Sequence, residues 1–154
     1  PDFAARIPFG LMLALTMAAT WYGTYYLARS PKAQPVAFAF GGEAKPADYA
    51  RAIADGGLLA LIACLGLAQL AHETTPALAQ LCFTALLFYA LAALPYRTVA
   101  SAVAGATGLL GLALSGAPAM ACVLGFGGAL VHLLDRTEGY EQRPGKRLEA
   151  LTNK

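Results

Sequence analysis

Charged residues divide the chain into long apolar stretches. No Asp, Glu, Lys or Arg falls from Ile7 to Ala28 (22 residues), Gly56 to His72 (17), Thr74 to Tyr96 (23) or Thr98 to Leu134 (37). A hydrocarbon core about 30 Å thick takes roughly 20 apolar helical residues to cross. Each of the first three stretches therefore predicts one crossing. The fourth, as one helix, would run about 55 Å. Its middle reads Ser115-Gly116-Ala117-Pro118, a turn signal with Pro118 suited to the first position of a new helix. Two short helices are expected there, crossing twice or folding back as a re-entrant hairpin. The pattern predicts an all-α fold, an integral membrane bundle of about five transmembrane helices at 7–28, 50–72, 75–95, 98–114 and 118–134. A charged C-terminal tail, 135–154, follows this single transmembrane domain.

Sidedness supports the odd number. With five spans, one face carries a single basic residue, Arg6. The other carries Arg29, Lys32, Lys45, Arg51, Arg97, Arg136, Arg143, Lys146, Arg147 and Lys154. Basic residues are retained on the cytoplasmic face or its organellar equivalent. The N-terminus is expected outside and the C-terminus inside. A four-span arrangement would weaken this asymmetry.

The ends of the spans agree. Trp21-Tyr22-Gly23-Thr24-Tyr25-Tyr26 and then Arg29 resemble the amphipathic belt of a helix leaving a bilayer, and Pro95-Tyr96-Arg97 is a shorter version. An interface belt is the expected role of these rings; a quinone or pigment site lined by them is the second reading. The Pro/Gly-rich 30–46 loop contains Val36-Ala37-Phe38-Ala39-Phe40, whose large apolar side chains need lipid, the bundle or a partner to cover them. A helix start is expected near Pro46 and Asp48. Asp55, four residues after Arg51, is expected to pair with it.

Composition sharpens the class. Of 154 residues, 58% are hydrophobic and 13% charged, with a net charge of +2. Ordinary soluble domains carry about twice that charged fraction. Disorder and nucleic-acid binding are both excluded by the low charge. The first residue is Pro1, which suits removal of a targeting segment. A thylakoid or mitochondrial inner membrane is therefore favoured over a bacterial inner membrane.

Ionisable groups inside a membrane mark function. The apolar spans contain no Asp, Glu, Lys or Arg at depth, which argues against a proton pump, an ion-coupled transporter or a carboxylate-based enzyme. Two histidines remain. His72 and His132 are expected on opposite faces, so they cannot share one metal, and three-ligand zinc sites are excluded by count. Each could serve alone as an axial ligand. Gly128, one turn before His132 on the same face, would leave room for a flat ring. His132, His72 and Gly128 are therefore the candidate cofactor-binding residues, with chlorophyll, carotenoid or lipid as the bound group. The competing reading of His132 is an interfacial histidine bonded to Asp135, a carbonyl or water. Cys64, Cys82 and Cys122 lack metal or redox spacing and read as packing.

Small residues recur in the last two spans: Gly105, Gly108 and Gly111, then Gly125, Gly127 and Gly128. They predict close helix packing, as a tight hairpin of spans four and five or a dock for another subunit. The leading functional expectation is a non-catalytic accessory subunit of a multi-subunit membrane complex, photosynthetic or respiratory. Its partners would be other membrane subunits, held through these small-residue faces, the 36–40 loop and the tail, together with lipid and no nucleic acid. The alternative is a small membrane enzyme or carrier acting on a lipid or isoprenoid, using His132 with Asp135 or His72 with Glu73. A channel ranks last, for want of a charged ring or filter motif. Tags at the two chain ends should react with a membrane-impermeant label from opposite sides of sealed vesicles. Reaction from one common side would remove the odd-numbered topology.

Overall fold

The computed structural model describes residues 2–35, 44–64 and 75–134. Among these the fold is all-α, with five α-helices and no strand. They are α1 (Asp2–Ala28), α2 (Pro46–Ala63), α3 (Pro76–Ala93), α4 (Thr98–Leu114) and α5 (Pro118–Leu134). A short 3-10 turn, Pro31–Ala33, follows α1. By length and composition α3 is apolar enough to cross a membrane, and α4 and α5 are shorter apolar helices. Residues 36–40, His72 and the 135–154 tail lie outside the described residues.

Local chemistry sets the boundaries. Helices α2, α3 and α5 each begin at a proline, whose fixed φ and missing N–H suit the first helical position. Helix α4 stops where Gly116 adopts a φ of +88°. The Ala117 N–H then reaches back to the Leu112 carbonyl at 3.1 Å. That six-to-one bond across a left-handed glycine is a Schellman closure, and Pro118 starts the next helix at once. At the other end of α4, the Tyr96 and Arg97 N–H groups both donate to the Ala93 carbonyl, at 2.9 and 2.8 Å. Helices α3, α4 and α5 are thus joined by two tight turns. Helix α2 starts at Pro46, as the Pro46 and Asp48 signal predicts, four residues ahead of the 50–72 span.

Helix α3 lies at the centre, with eight of its residues buried, including Leu78, Cys82, Leu86, Leu87 and Ala93. Helix α1 packs on it and on α2, and α4 packs on its other side. Contacts rise together along α1 and α3: Thr16 meets Cys82 and Gly23 meets Phe88. These two helices are parallel. Along α4 they run in reverse, Gly105 against Ala90 and Gly111 against Phe83, so α4 is antiparallel to α3. Helix α5 returns alongside, joining Leu87 and Leu112 through Ala121.

Side-chain size is distributed in a consistent way. Large residues of α3 sit over glycines of its neighbours. A Cβ on Gly23 would lie 2.5 Å from the Phe88 ring, one on Gly108 2.8 Å from Leu87 Cγ, and one on Gly128 2.9 Å from Leu91 Cδ2. Gly111 lies under the Phe83 ring. Small residues allow backbones to approach and gain van der Waals contact. The tightest approaches of the α4 glycines are therefore to α3. Within the expected α4–α5 hairpin, Gly125 meets Leu109, and Leu112, Ala117, Ala121 and Leu124 pack together.

Four threonine hydroxyls are satisfied within their own helices. Thr16, Thr24, Thr84 and Thr107 each donate to the carbonyl four residues earlier, at 2.7–2.8 Å. Ser101 of α4 donates across to the Ala90 carbonyl. Gln80 Nε2 donates to the Ser115 carbonyl at 3.0 Å, tying α3 to the α4–α5 turn.

Glycine fit gives a direct test. Gly108→Ala is expected to cost about 1–3 kcal/mol through overpacking, because the added methyl meets both Leu87 and the Phe83 backbone oxygen. Gly127→Ala meets nothing within 4 Å and should be neutral or slightly stabilising, since Ala is the better helix former. Thermal denaturation of both variants in detergent measures the difference; equal losses would contradict the packing.

Candidate functional site: a cleft between the first and third helices

The C-terminal ends of α1 and α3 meet in an aromatic cluster. Trp21 stacks on Tyr25 with ring centroids 5.5 Å apart, and Tyr26 stacks on Tyr96 at 5.3 Å. Tyr26 also approaches Tyr89 of α3 at 6.1 Å. The Arg29 guanidinium lies over the Tyr96 ring, 5.8 Å from its centroid. Such ring and cation contacts each contribute on the order of 0.5–1.5 kcal/mol. They fix the exit of α1 against the α3–α4 turn, placing Arg29 and Arg97 at the same end of the bundle.

Beside this cluster an open cleft of about 320 Å³ runs between α1 and α3. It is lined by Leu15, Ala18, Ala19, Tyr22 and Tyr26 of α1, Leu86 and Tyr89 of α3, and Arg97 of the turn. The α1 residues fall at i, i+3, i+4, i+7 and i+11, one face of a helix. One part of the lining is aliphatic; the other holds three phenols and a guanidinium. Those groups supply hydrogen-bond donors and a fixed positive charge. No histidine or carboxylate, the usual general bases, is among the lining residues. The arrangement suits binding of an amphiphile.

The histidine site is arranged differently. His132, in the last turn of α5, is exposed, and Gly128 one turn earlier is buried. The space that Gly128 leaves is filled by the Leu91 side chain. Cys82 is buried against Thr16, whereas Cys64 and Cys122 are exposed. Among the described residues no three His, Cys, Asp or Glu side chains gather in a way that would hold a metal ion. The expected Arg51–Asp55 pair is replaced by two other contacts. Arg51 pairs with Asp48 at 3.0 Å, and Asp55 accepts a hydrogen bond from Trp21 Nε1 at 2.8 Å. Asp48 lies one turn before Arg51 and is equally accessible, while the indole of α1 comes within reach of Asp55.

Comparison with protein-family models, with curated proteins and with solved structures found no match in any of the three.

Sequence reasoning singled out the rings and Arg97 as anchors but did not assemble them with Leu15, Ala18 and Tyr89. The available signal was the small pair Ala18-Ala19 on the same face as Tyr22 and Tyr26, with a leucine one turn before. What it lacked was the knowledge that α3 packs on that side of α1. The Trp21–Asp55 bond links α1 to α2 and involves the sole tryptophan. Asp55→Ala is expected to shift the Trp21 emission and to cost about 0.5–1 kcal/mol, the range for an accessible charged hydrogen bond. Arg51→Ala should leave the emission where it was; a shift with Arg51→Ala alone would reverse the assignment.

Proposed function

We propose that this chain is an integral-membrane helical bundle serving as a non-catalytic accessory subunit of a multi-subunit membrane complex, photosynthetic or respiratory. The observation that carries the reading is the outward face of α4 and α5. Val99, Val103, Leu110 and Leu114 of α4, and Val123, Phe126, Leu130 and Val131 of α5, are all more than half exposed, Leu114 at 88% and Phe126 at 78%. Leaving apolar surface in water costs about 25 cal/mol per Å², and contiguous apolar patches beyond a few hundred Å² mark a membrane or partner surface. Lipid and neighbouring subunits together account for such a surface. The threonines bonded back to their own helices fit the same solvent, since oil offers no partner for a hydroxyl. Among the described residues α3 is long and apolar enough to cross a membrane, and the basic residues Arg29 and Arg97 lie together at one end of the bundle, which supports the same reading.

The α1–α3 cleft favours a second reading, a small membrane carrier or enzyme for a lipid or isoprenoid. Both readings place the chain in the bilayer and differ in whether it acts alone. The accessory role predicts that mild-detergent purification recovers the chain at fixed stoichiometry with larger membrane subunits. It also predicts that His132→Ala leaves that recovery unchanged and abolishes no chemistry. Recovery as a lone protein that turns over a lipid, with loss on His132→Ala, would select the enzyme instead.

A further inference from the structure

We propose that the α1–α3 cleft binds one anionic phospholipid from the leaflet on the Arg97 side. This rests on the membrane reading above and adds to it a site and a ligand chemistry. Along α1 the lining runs from Leu15 to Tyr26, and along α3 and its turn from Leu86 to Arg97. The α1 stretch spans 11 helical rises, about 16 Å at 1.5 Å per residue, and the α3 stretch runs beside it into the turn that ends at Arg97. Half of a hydrocarbon core is about 15 Å. The cleft therefore has the depth of one leaflet, with Arg97 at the turn where that leaflet meets water.

Its chemistry changes along that depth as a lipid does. Leu15, Ala18, Ala19 and Leu86 offer an aliphatic trough for an acyl chain. Tyr26, Tyr89 and Arg97 lie towards the turn, with Tyr22 one helical turn deeper than Tyr26. The hydroxyls of Tyr22, Tyr26 and Tyr89 and the Arg97 guanidinium make no hydrogen bond or ion pair among the described residues, and no acidic side chain lines the cleft. Arg29, by contrast, is engaged with the Tyr96 ring. A guanidinium fork takes phosphate oxygens in pairs, and the phenols are further donors to the same anion. A neutral isoprenoid would leave the cation unanswered. The volume, about 320 Å³, lies at the lower end for ligand pockets. It suits one chain in the trough with the headgroup at the rim.

The test uses the whole chain in detergent, titrated with phosphatidylglycerol or phosphatidylcholine and read by native mass spectrometry. Wild type should retain one phosphatidylglycerol in preference to phosphatidylcholine. Arg97→Gln should reduce that preference about fivefold, the factor one basic residue contributes near an anionic surface. Arg29→Gln removes the same charge at the same end and should leave the preference in place. Ala18→Trp, which fills the trough, should weaken retention of both lipids with helicity unchanged. Equal preference in wild type and Arg97→Gln, or an equal loss in Arg29→Gln, would overturn the proposal. So would displacement of the lipid by glycerophosphoglycerol, which has the head without the tails, or by a neutral prenylquinone at equal concentration. A chain that stays monodisperse without detergent would end the membrane reading itself. A membrane-embedded chain that selects no headgroup would end only the lipid site.

Discussion

The arrangement of this bundle depends on the fit of large α3 side chains into glycine positions on three neighbouring helices. Phe88 meets Gly23 of α1, Phe83 and Leu87 meet Gly111 and Gly108 of α4, and Leu91 meets Gly128 of α5. Each contact is short enough that a methyl group would displace something. Because one helix supplies all four of these knobs, its position constrains the other three. Dispersion attraction falls steeply with a gap of even a fraction of an ångström, so close seating is what gives such contacts their strength. Where helices associate in lipid, packing of this kind, with a few interhelical hydrogen bonds, is the main force available. Ser101 to the Ala90 carbonyl and Gln80 to the Ser115 carbonyl are bonds of that type.

The same fit explains why the outside is so apolar. Glycine and alanine occupy much of the inward face of α4, with Ala104, Gly108 and Gly111 buried beside Leu112, and Val99, Val103, Leu110 and Leu114 are left to point away. In a water-soluble bundle the order is reversed, since burying large apolar side chains drives folding. Under the membrane proposal the interior gains contact by closeness and the exterior is solvated by oil. The distribution of sizes is independent of the charge gaps and points the same way.

Much of the fold was legible in the sequence, because it was written in punctuation. Prolines at 46, 76 and 118 and the Ser115-Gly116 turn bracket helices whose ends the structure places at those residues. The glycine periodicity announced close packing but not its direction. A run such as Gly105, Gly108 and Gly111 marks a face without saying which helix comes to it, and α3 carries no glycine of its own within Pro76–Ala93 to advertise the match. For the same reason Gly128 beneath His132 suggested room for a ring, whereas Leu91, 37 residues away in sequence, occupies that room. Ion pairs were also misjudged by spacing alone. Asp55 is helically placed for Arg51, yet the indole of another helix reaches it first.

The cleft follows from the packing rather than standing apart from it. Helix α1 presents Gly23 to Phe88, which draws its C-terminal half onto α3. Ala18 and Ala19, one turn earlier on an adjoining face, are too small to fill the groove that results; Ala19 is buried in the contact with Leu86, and Ala18 beside it stays exposed. Tyr22, Tyr26 and Tyr89 wall the groove, and the tight turn after α3 brings Arg97 to its mouth. A gap between helices in a bilayer does not stay empty, because the surrounding medium is itself a liquid of chains that fit it. The distinctive element is therefore the cation at the mouth. It gives a groove that any acyl chain could enter a reason to prefer one kind of head.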